Sequence, residues 1–217
     1  MTGINRLKYL INTVPLSHYM GVQPDIVAHP LVEVDELYLT GYPASHFSYR
    51  RLQAEAQDKV EVNNIQKNQD FAFGPGVKAK VIFGQPDARA PVDASHILYL
   101  KYGDVSFIFM SALLDEKEEE LVLQWGESLN ADVIKVGRHG ARNSTTDELL
   151  QYVNPSHAVI STSTSNPWFA PEDDVLHRLR RSGVDRNGIY RTDQQGHIVF
   201  FTDGRTIRVQ TDAFPFI

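Results

Sequence analysis

The sequence predicts an α/β (α+β) protein, a sandwich of mixed sheets with helices on the outer faces. Three observations predict it. After residue 96, short apolar runs alternate with amphipathic helical patterns, the signature of sheets covered by helices. Two pairs of runs are joined at Gly103-Asp104 and Asp203-Gly204, so hairpins mix antiparallel pairing into the sheet. Residues 131–150, ADVIKVGRHGARNSTTDELL, read as a buried strand, a sharp loop flanked by glycines and a capped helix start.

Composition bounds the function. The 217 residues suffice for one substantial domain or two small ones. A net charge of −6 argues against nucleic-acid binding by bulk charge, although a local basic patch remains compatible with it. There is no cysteine, so neither a disulfide nor a thiolate metal ligand is available. No apolar run approaches the roughly 18 residues needed to span a bilayer. The opening MTGINRLKYLI has no signal-peptide pattern. The expectation is a cytoplasmic protein making no membrane contact, unless the chain is a domain of a larger membrane protein.

In order along the chain, residues 3–13 predict a short helix, because Ile4, Leu7, Leu10 and Ile11 share a helical face. Residues 14–34 carry Pro15, Pro24 and Pro30 without a period and predict a loop or insertion. Strands follow at 36–40, 59–62, 71–73 and 77–83, with a helix over 47–57. After a loop at 84–95 comes the hairpin 96–102 and 105–110. A helix starts at Asp115, which has Glu118 at capping-box spacing. Its acidic run DEKEEE reads as a solvated helix start, favoured by the helix dipole, more readily than as a cation site. The strand 131–136 is followed by a helix from Thr146, through a capping box of Thr145 and Glu148. Then come a strand at 157–161 and a loop over 162–170. A helix opens at Pro171, ends in Arg178, Arg180 and Arg181, and is closed by Gly183. A strand at 188–191 and the hairpin 197–202 with 206–210, turned by a type I′ Asp203-Gly204, complete the chain.

His139, beside Arg138 in the loop that leaves the strand end, is the leading site candidate. Loops between a strand end and a helix are where α/β proteins place chemistry. The bland alternative is a loop histidine bonding backbone carbonyls. Arg138 is either an anion contact or a structural partner of Asp93, and the bridge, or simple exposure, is the favoured reading. The eight histidines stand at 18, 29, 46, 96, 139, 157, 177 and 197, so no local HxH, HxxxH or HExxH chelate exists. The arginines from Arg178 to Arg191 could track a nucleic-acid backbone, but the helix dipole already accounts for three of them. Trp168 and Phe169 could stack on bases or pack a sheet edge. Ser111, Ser144 and the STSTS run offer hydroxyls without any nucleophile-elbow motif.

Residues 93–203 carry a more specific signal. LYLKYGDVSFIFM, ADVIKVGRHGA, STTDELL, HAVIS, PEDDVLHRLRRSG and YRTDQQGHIVFFTDG follow in that order. The series resembles the second half of the metallo-β-lactamase-fold domain of ComEC-type competence (DNA-uptake) proteins. That family reads roughly NxS-LVLRLxYG-xxFLLTGD, DVLKVGHHGSxxS, HPHxxVLxRL and YRTDxxGxI. VDELYLTG and the stretch VEVNNIQKNQDFAFGPGVKAKVIF are similar to its middle section. TGINRLKYLI looks like the helix after the family's HxHxDH motif, and on that alignment the motif itself lies before the chain. The resemblance implies an incomplete metallo-β-lactamase-type αββα sandwich in one domain over 1–217. Residues 1–92 would be a partial first half with an insertion near 14–34, and 93–217 the second half.

The resemblance also implies a divalent metal pair, zinc or manganese, acting on a phosphodiester. Carried over residue by residue, the ligand set is largely replaced. The bridging aspartate of TGD falls at Ala112. The histidines of HHG fall at Arg138 and His139. HPH falls at Ala170-Pro171-Glu172, and NxS at Asp93-Ala94-Ser95. Asp93, Arg138, His139 and Glu172 remain as candidates for anion or substrate binding; no metal ligand and no cofactor are expected, and enzyme status stays open. The leading function is a degenerate domain of this fold without metal catalysis, acting in interaction or structure. One alternative is a phosphodiester hydrolase whose ligands come from another chain or from residues such as Asp93, His139 and Glu172. The other is an anion- or nucleotide-binding module built on Arg138. A protein partner or self-association is expected to cover the truncated half, with nucleic acid as the lesser alternative.

Overall fold

In a computed structural model that describes residues 5–85, 88–166 and 170–212, the chain divides into two compact units. The first comprises residues 1–69 and 81–96, and the second 70–80 and 97–217.

The first unit holds a three-stranded parallel sheet in the order β1-β2-β3: β1 Arg6–Ile11, β2 Glu33–Leu39 and β3 Glu61–Asn64. Helices α1 (Ser17–Met20) and α2 (Gln23–Ala28) lie between β1 and β2, and α3 (Phe47–Ala56) between β2 and β3. Its core gathers Met20, Val27, Val34, Leu37, Leu39, Tyr49, Leu52 and Ala56, with Leu7 and Leu10 packed against it.

Two expectations fail here. The helix expected over 3–13 is absent from the described residues, where Arg6–Ile11 form a strand. Leu7 and Leu10 pair with Val34 and Leu37 of β2, and Tyr9 meets the Tyr38 ring edge-on at 5.9 Å. Leu7, Tyr9 and Ile11 alternate as well as they fit a helical face, and over so short a window sheet pairing decides the matter. Ile4 of the expected face lies outside the described residues. Residues 14–34 are not a loop but carry α1 and α2. Helices of four and six residues are too short to show a period. The strand expected at 59–62 lies two residues later, set by Leu37 against Val62 and Leu39 against Asn64.

A seven-stranded sheet carries the second unit, in the order β10-β9-β8-β7-β6-β5-β4. Its strands are β4 Asp70–Ala72, β5 Val77–Phe83, β6 Ile97–Tyr102, β7 Val105–Phe109, β8 Val133–Lys135, β9 His157–Ile160 and β10 Ile189–Arg191. The last three residues of β5 belong to the first unit. β7, β8, β9 and β10 are parallel neighbours, whereas β6 with β7 and β4 with β5 are antiparallel. Parallel crossovers carry α4 (Asp115–Trp125), α5 (Asp147–Val153) and α6 (Asp173–Arg181), followed later by α7 (Thr192–Gln195). Ile108, Ile134, Ala158 and Ile160 are completely buried, as are Leu121, Leu149, Leu150 and Leu179 from the three helices. The hairpin of β11 (Ile198–Thr202) and β12 (Ile207–Thr211) stands as a separate two-stranded sheet. Phe200 of β11 meets the rings of Phe107, His157 and Tyr190 at 5.5–6.1 Å.

Several caps shift by a residue or more. α5 is capped by Thr146, whose hydroxyl accepts from Leu149 N, not by Thr145. α6 begins at Asp173 rather than Pro171. α4 has Leu114 at its N-cap, with no side-chain cap. The β11–β12 turn is not type I′. Of the Asp203-Gly204 pair only Gly204 has positive φ (87°), and Asp203 Oδ1 gathers Arg205 N, Thr206 N and Thr206 Oγ1 instead. The glycine requirement at Gly103 is steric. A Cβ there would stand 2.4 Å from Gly204 O, where the tips of the two hairpins meet and Asp104 N donates to that carbonyl.

Candidate functional site

The carboxyl ends of β7, β8 and β9 form one edge of the second unit, the position where parallel sheets present loops for ligands. β7 runs into Met110, Ser111 and Ala112. β8 runs into a 3-10 turn over Gly137–Gly140, and β9 into Ser161. Ser111, Arg138, His139 and Thr145 all hold positive φ, at 48°, 49°, 57° and 57°. Four non-glycine residues in that region around one loop store backbone strain that the surrounding structure must hold.

Hydrogen bonds supply that restraint. Arg138 N donates to Ser111 O (3.0 Å), Ala141 N to Arg138 O (3.0 Å) and Glu172 N to Gly140 O (3.0 Å). The Ser144 hydroxyl lies within hydrogen-bond distance of Gly137 O and Ala141 O. The strongest fastening comes from α4. Glu118, with no exposed surface, accepts from Thr145 N at 2.6 Å and Thr146 N at 2.8 Å. Burial raises its carboxyl above the ordinary range, against those two donors and the nearby Arg178 charge. The sequence reading placed Glu118 in a solvated acidic run. The available signal was its position three and four residues before Leu121 and Val122, on the buried face of α4.

Of the sequence candidates, Arg138, His139 and Glu172 meet around this loop. His139 Nδ1 lies 2.7 Å from Ser161 O. A carbonyl only accepts, so Nδ1 carries the proton and a neutral ring has its lone pair at Nε2. Arg138 Nε donates to Asn143 Oδ1 at 3.2 Å, which takes the place of the Asp93 carboxylate expected from the sequence. Glu172 is engaged by Arg142, with N to Oε1 and Nε to Oε2 both at 3.1 Å. Asp93 belongs to the first unit, half-buried, with its N–H donated to Ala90 O. Lys135, at the end of β8, was not anticipated. Its ammonium donates to Val136 O, and burial lowers its pKa to about 8. Arg178 donates to Arg142 O, and Arg181 to both oxygens of Asp147. Arg191 donates to both oxygens of Asp193, so three of the five arginines from Arg178 to Arg191 are committed to internal partners. Trp168 and Phe169 lie outside the described residues.

The positions at which the resemblance puts metal ligands carry other groups in this chain. Ala112, fully buried, offers no ligand atom where the resemblance puts a bridging carboxylate. Arg138 brings positive charge, and Glu172 already holds Arg142. Among the described residues, no group of three or more His, Cys, Asp or Glu is placed to hold a metal ion. None of the helices described is long and apolar enough to cross a membrane.

No protein-family model matches the chain. It is 28% identical over 200 residues to ComE operon protein 3 of Bacillus subtilis, covering 91% of this chain and 25% of that protein. It is 30% identical over 121 residues to competence protein ComA of Neisseria gonorrhoeae, covering 54% and 17%. The chain thus spans a quarter or less of the length of these relatives. Among solved structures, the diiron β-hydroxylase CmlA from Streptomyces venezuelae superposes with a TM-score of 0.52 at 12% identity, covering 86% of this chain and 44% of that one. The metallo-β-lactamase fold protein YhfI from Bacillus subtilis superposes with a TM-score of 0.49 at 10% identity, over 85% and 74%. The chain is thus similar in sequence to these competence proteins, and its mixed α/β fold is similar to that of CmlA.

Proposed function

We propose that this chain is a degenerate domain of the metallo-β-lactamase fold that works in competence without metal catalysis, as an interaction or structural domain. The observation that carries the reading is Ala112. A buried methyl group stands where the fold's chemistry needs a carboxylate shared between two cations. The rest of the edge agrees, because Arg138 donates to Asn143 and Arg142 donates to Glu172. The partner is another protein or a second copy. Apolar side chains stand in solvent on the outer face of β11, with Val199 43% and Phe201 41% exposed.

The test is the metal content of purified protein, by elemental mass spectrometry after incubation with zinc and manganese and removal of the excess. The expected result is no retained metal and no hydrolysis of single- or double-stranded DNA. Near-stoichiometric metal that is lost in His139→Ala would overturn the reading. It would revive a second one, a phosphodiester hydrolase with unusual ligands. That reading draws support from His139, whose Nδ1–H bond to a backbone carbonyl is the arrangement that orients metal-ligating histidines.

A further inference from the structure

We infer that β11 is an interface between two copies of this chain. It pairs edge to edge with the β11 of a second copy, so that two hairpins form one four-stranded antiparallel sheet. This rests on the interaction reading above and names the partner as a second copy.

An edge strand offers its unpaired N–H and C=O groups to any strand that approaches, and a charged side chain on the edge discourages such pairing. Among the described strands, every other edge strand carries a charge. β1 has Arg6 and Lys8, β3 Glu61, β4 Asp70, β10 Arg191 and β12 Arg208. β11, Ile198-Val199-Phe200-Phe201-Thr202, has no charge and no proline, and all five residues are β-branched or aromatic. Its ladder is with β12 alone. That ladder fixes which groups face the open side. Asp212 N donates to His197 O, one step beyond the Ile198–Thr211 pair. Bonded and non-bonded pairs alternate along an antiparallel ladder. Val199 and Phe201 therefore bond toward β12, and the backbone groups of Ile198, Phe200 and Thr202 point away from it. Among the described residues, no backbone partner reaches those groups.

The edge is complementary to itself. A two-fold axis at Phe200 sets Ile198 opposite Thr202 of the second copy, and Phe200 opposite its equivalent. All of these are hydrogen-bonded pairs, and the register uses the whole strand. Val199 then stands opposite Phe201 of the second copy, twice by symmetry, in non-hydrogen-bonded pairs with Cα atoms about 4.5 Å apart. These are the two apolar side chains that β11 leaves in solvent. They lie on the face opposite Phe200, whose ring meets Phe107, His157 and Tyr190. Pairs of an aromatic with a β-branched residue stabilise a sheet, so the register joins four exposed apolar groups into one row. Arg208 lies opposite Phe201 on β12, its guanidinium 4.6 Å from the centre of that ring, and borders the row without entering the seam. Pairing through β12 instead would bring Arg208 into the seam and leave Val199 and Phe201 outside it.

The experiment is sedimentation velocity on the whole chain over a concentration series. Wild type is compared with Phe201→Lys and with Leu123→Lys, a control at an apolar side chain 79% exposed on α4. Wild type and the control are expected to pass from monomer to dimer as concentration rises, and Phe201→Lys to stay monomeric. A monomeric wild type, a dimer that survives Phe201→Lys, or one that Leu123→Lys abolishes overturns the assignment. A second pair of variants does not depend on how the hairpin tolerates lysine. The chain has no cysteine, so Val199→Cys and Phe201→Cys each introduce its only thiol. Mixed in equal amounts and oxidised, the two are expected to give the 199–201 disulfide in excess of the random proportion, read by mass spectrometry. Directly opposite positions are within disulfide reach, whereas 199–199 and 201–201 are diagonal, with Cα atoms about 7–8 Å apart. Disulfides at the random proportion overturn the register and the interface with it. Metal retained in the assay above would sink only the metal-free reading. A monomeric wild type would sink only the interface, and leave a different protein as the partner.

Discussion

The loop after β8 and the loop after β1 do the same task with opposite materials. Each carries the chain from a parallel strand into a helix. Around the first, Ser111, Arg138, His139 and Thr145 hold positive φ and are fastened by polar groups, chiefly Glu118. In the second, no residue between 12 and 20 has positive φ, and Val14 and Met20 anchor the segment in apolar packing. The difference shows which loop retains the geometry of a site. A strained backbone is kept only where something over-determines it, and a buried carboxylate on two backbone N–H groups does so.

The contrast can be broken at either end. The largest effect is expected for Glu118→Ala, which leaves Thr145 N and Thr146 N buried without an acceptor, at a cost of about 4 kcal/mol in urea unfolding. A loss no larger than that of a surface substitution would mean the loop is held by other contacts. Met20→Ala should cost about 3 kcal/mol through the cavity it leaves in the first core. Its effect should be insensitive to pH and salt.

Acid sharpens the same contrast. His96, 2% exposed and bonded through its backbone N–H to the loop after β1, is held neutral by burial, which lowers its pKa to about 4. The folded value lies below the ordinary 6.5, so the unfolded chain binds more protons between the two. Its contribution is fully present above pH 6.5 and falls by about 3 kcal/mol as the pH drops toward 4. His96→Gln should flatten that part of the stability profile, and an unchanged slope would remove His96 as its source. The smallest effect is expected for His18→Ala, within about 0.5 kcal/mol of wild type, because the side chain is exposed. A larger loss would show that His18 has a structural role after β1.

Legibility in the sequence followed the length and regularity of the elements. The strand–loop–helix at 131–150, the β6–β7 hairpin and the helix ending in Arg178, Arg180 and Arg181 carry their own signals of β-branched runs, turn residues and charge placement. β1 was misread because six residues can satisfy periods of 2 and 3.6 together, and α1 and α2 are too short to repeat a period. At the site, the order of motifs located Arg138, His139 and Glu172. Glu118 was hidden, because composition reports charge but not burial.

By itself the sequence determined the fold class, the similarity to competence proteins and the residue types at Ala112, Arg138 and Glu172, since those are properties of residue type and order. Only the tertiary structure decided that 6–11 is a strand, because its hydrogen-bond partners lie in β2, more than twenty residues away. Only the tertiary structure put Glu118 beneath Thr145 and Thr146, because that contact spans 27 residues and depends on α4 packing against the start of α5. Interactions that close over such distances leave no local period or motif, and they fix what the strained loop can be.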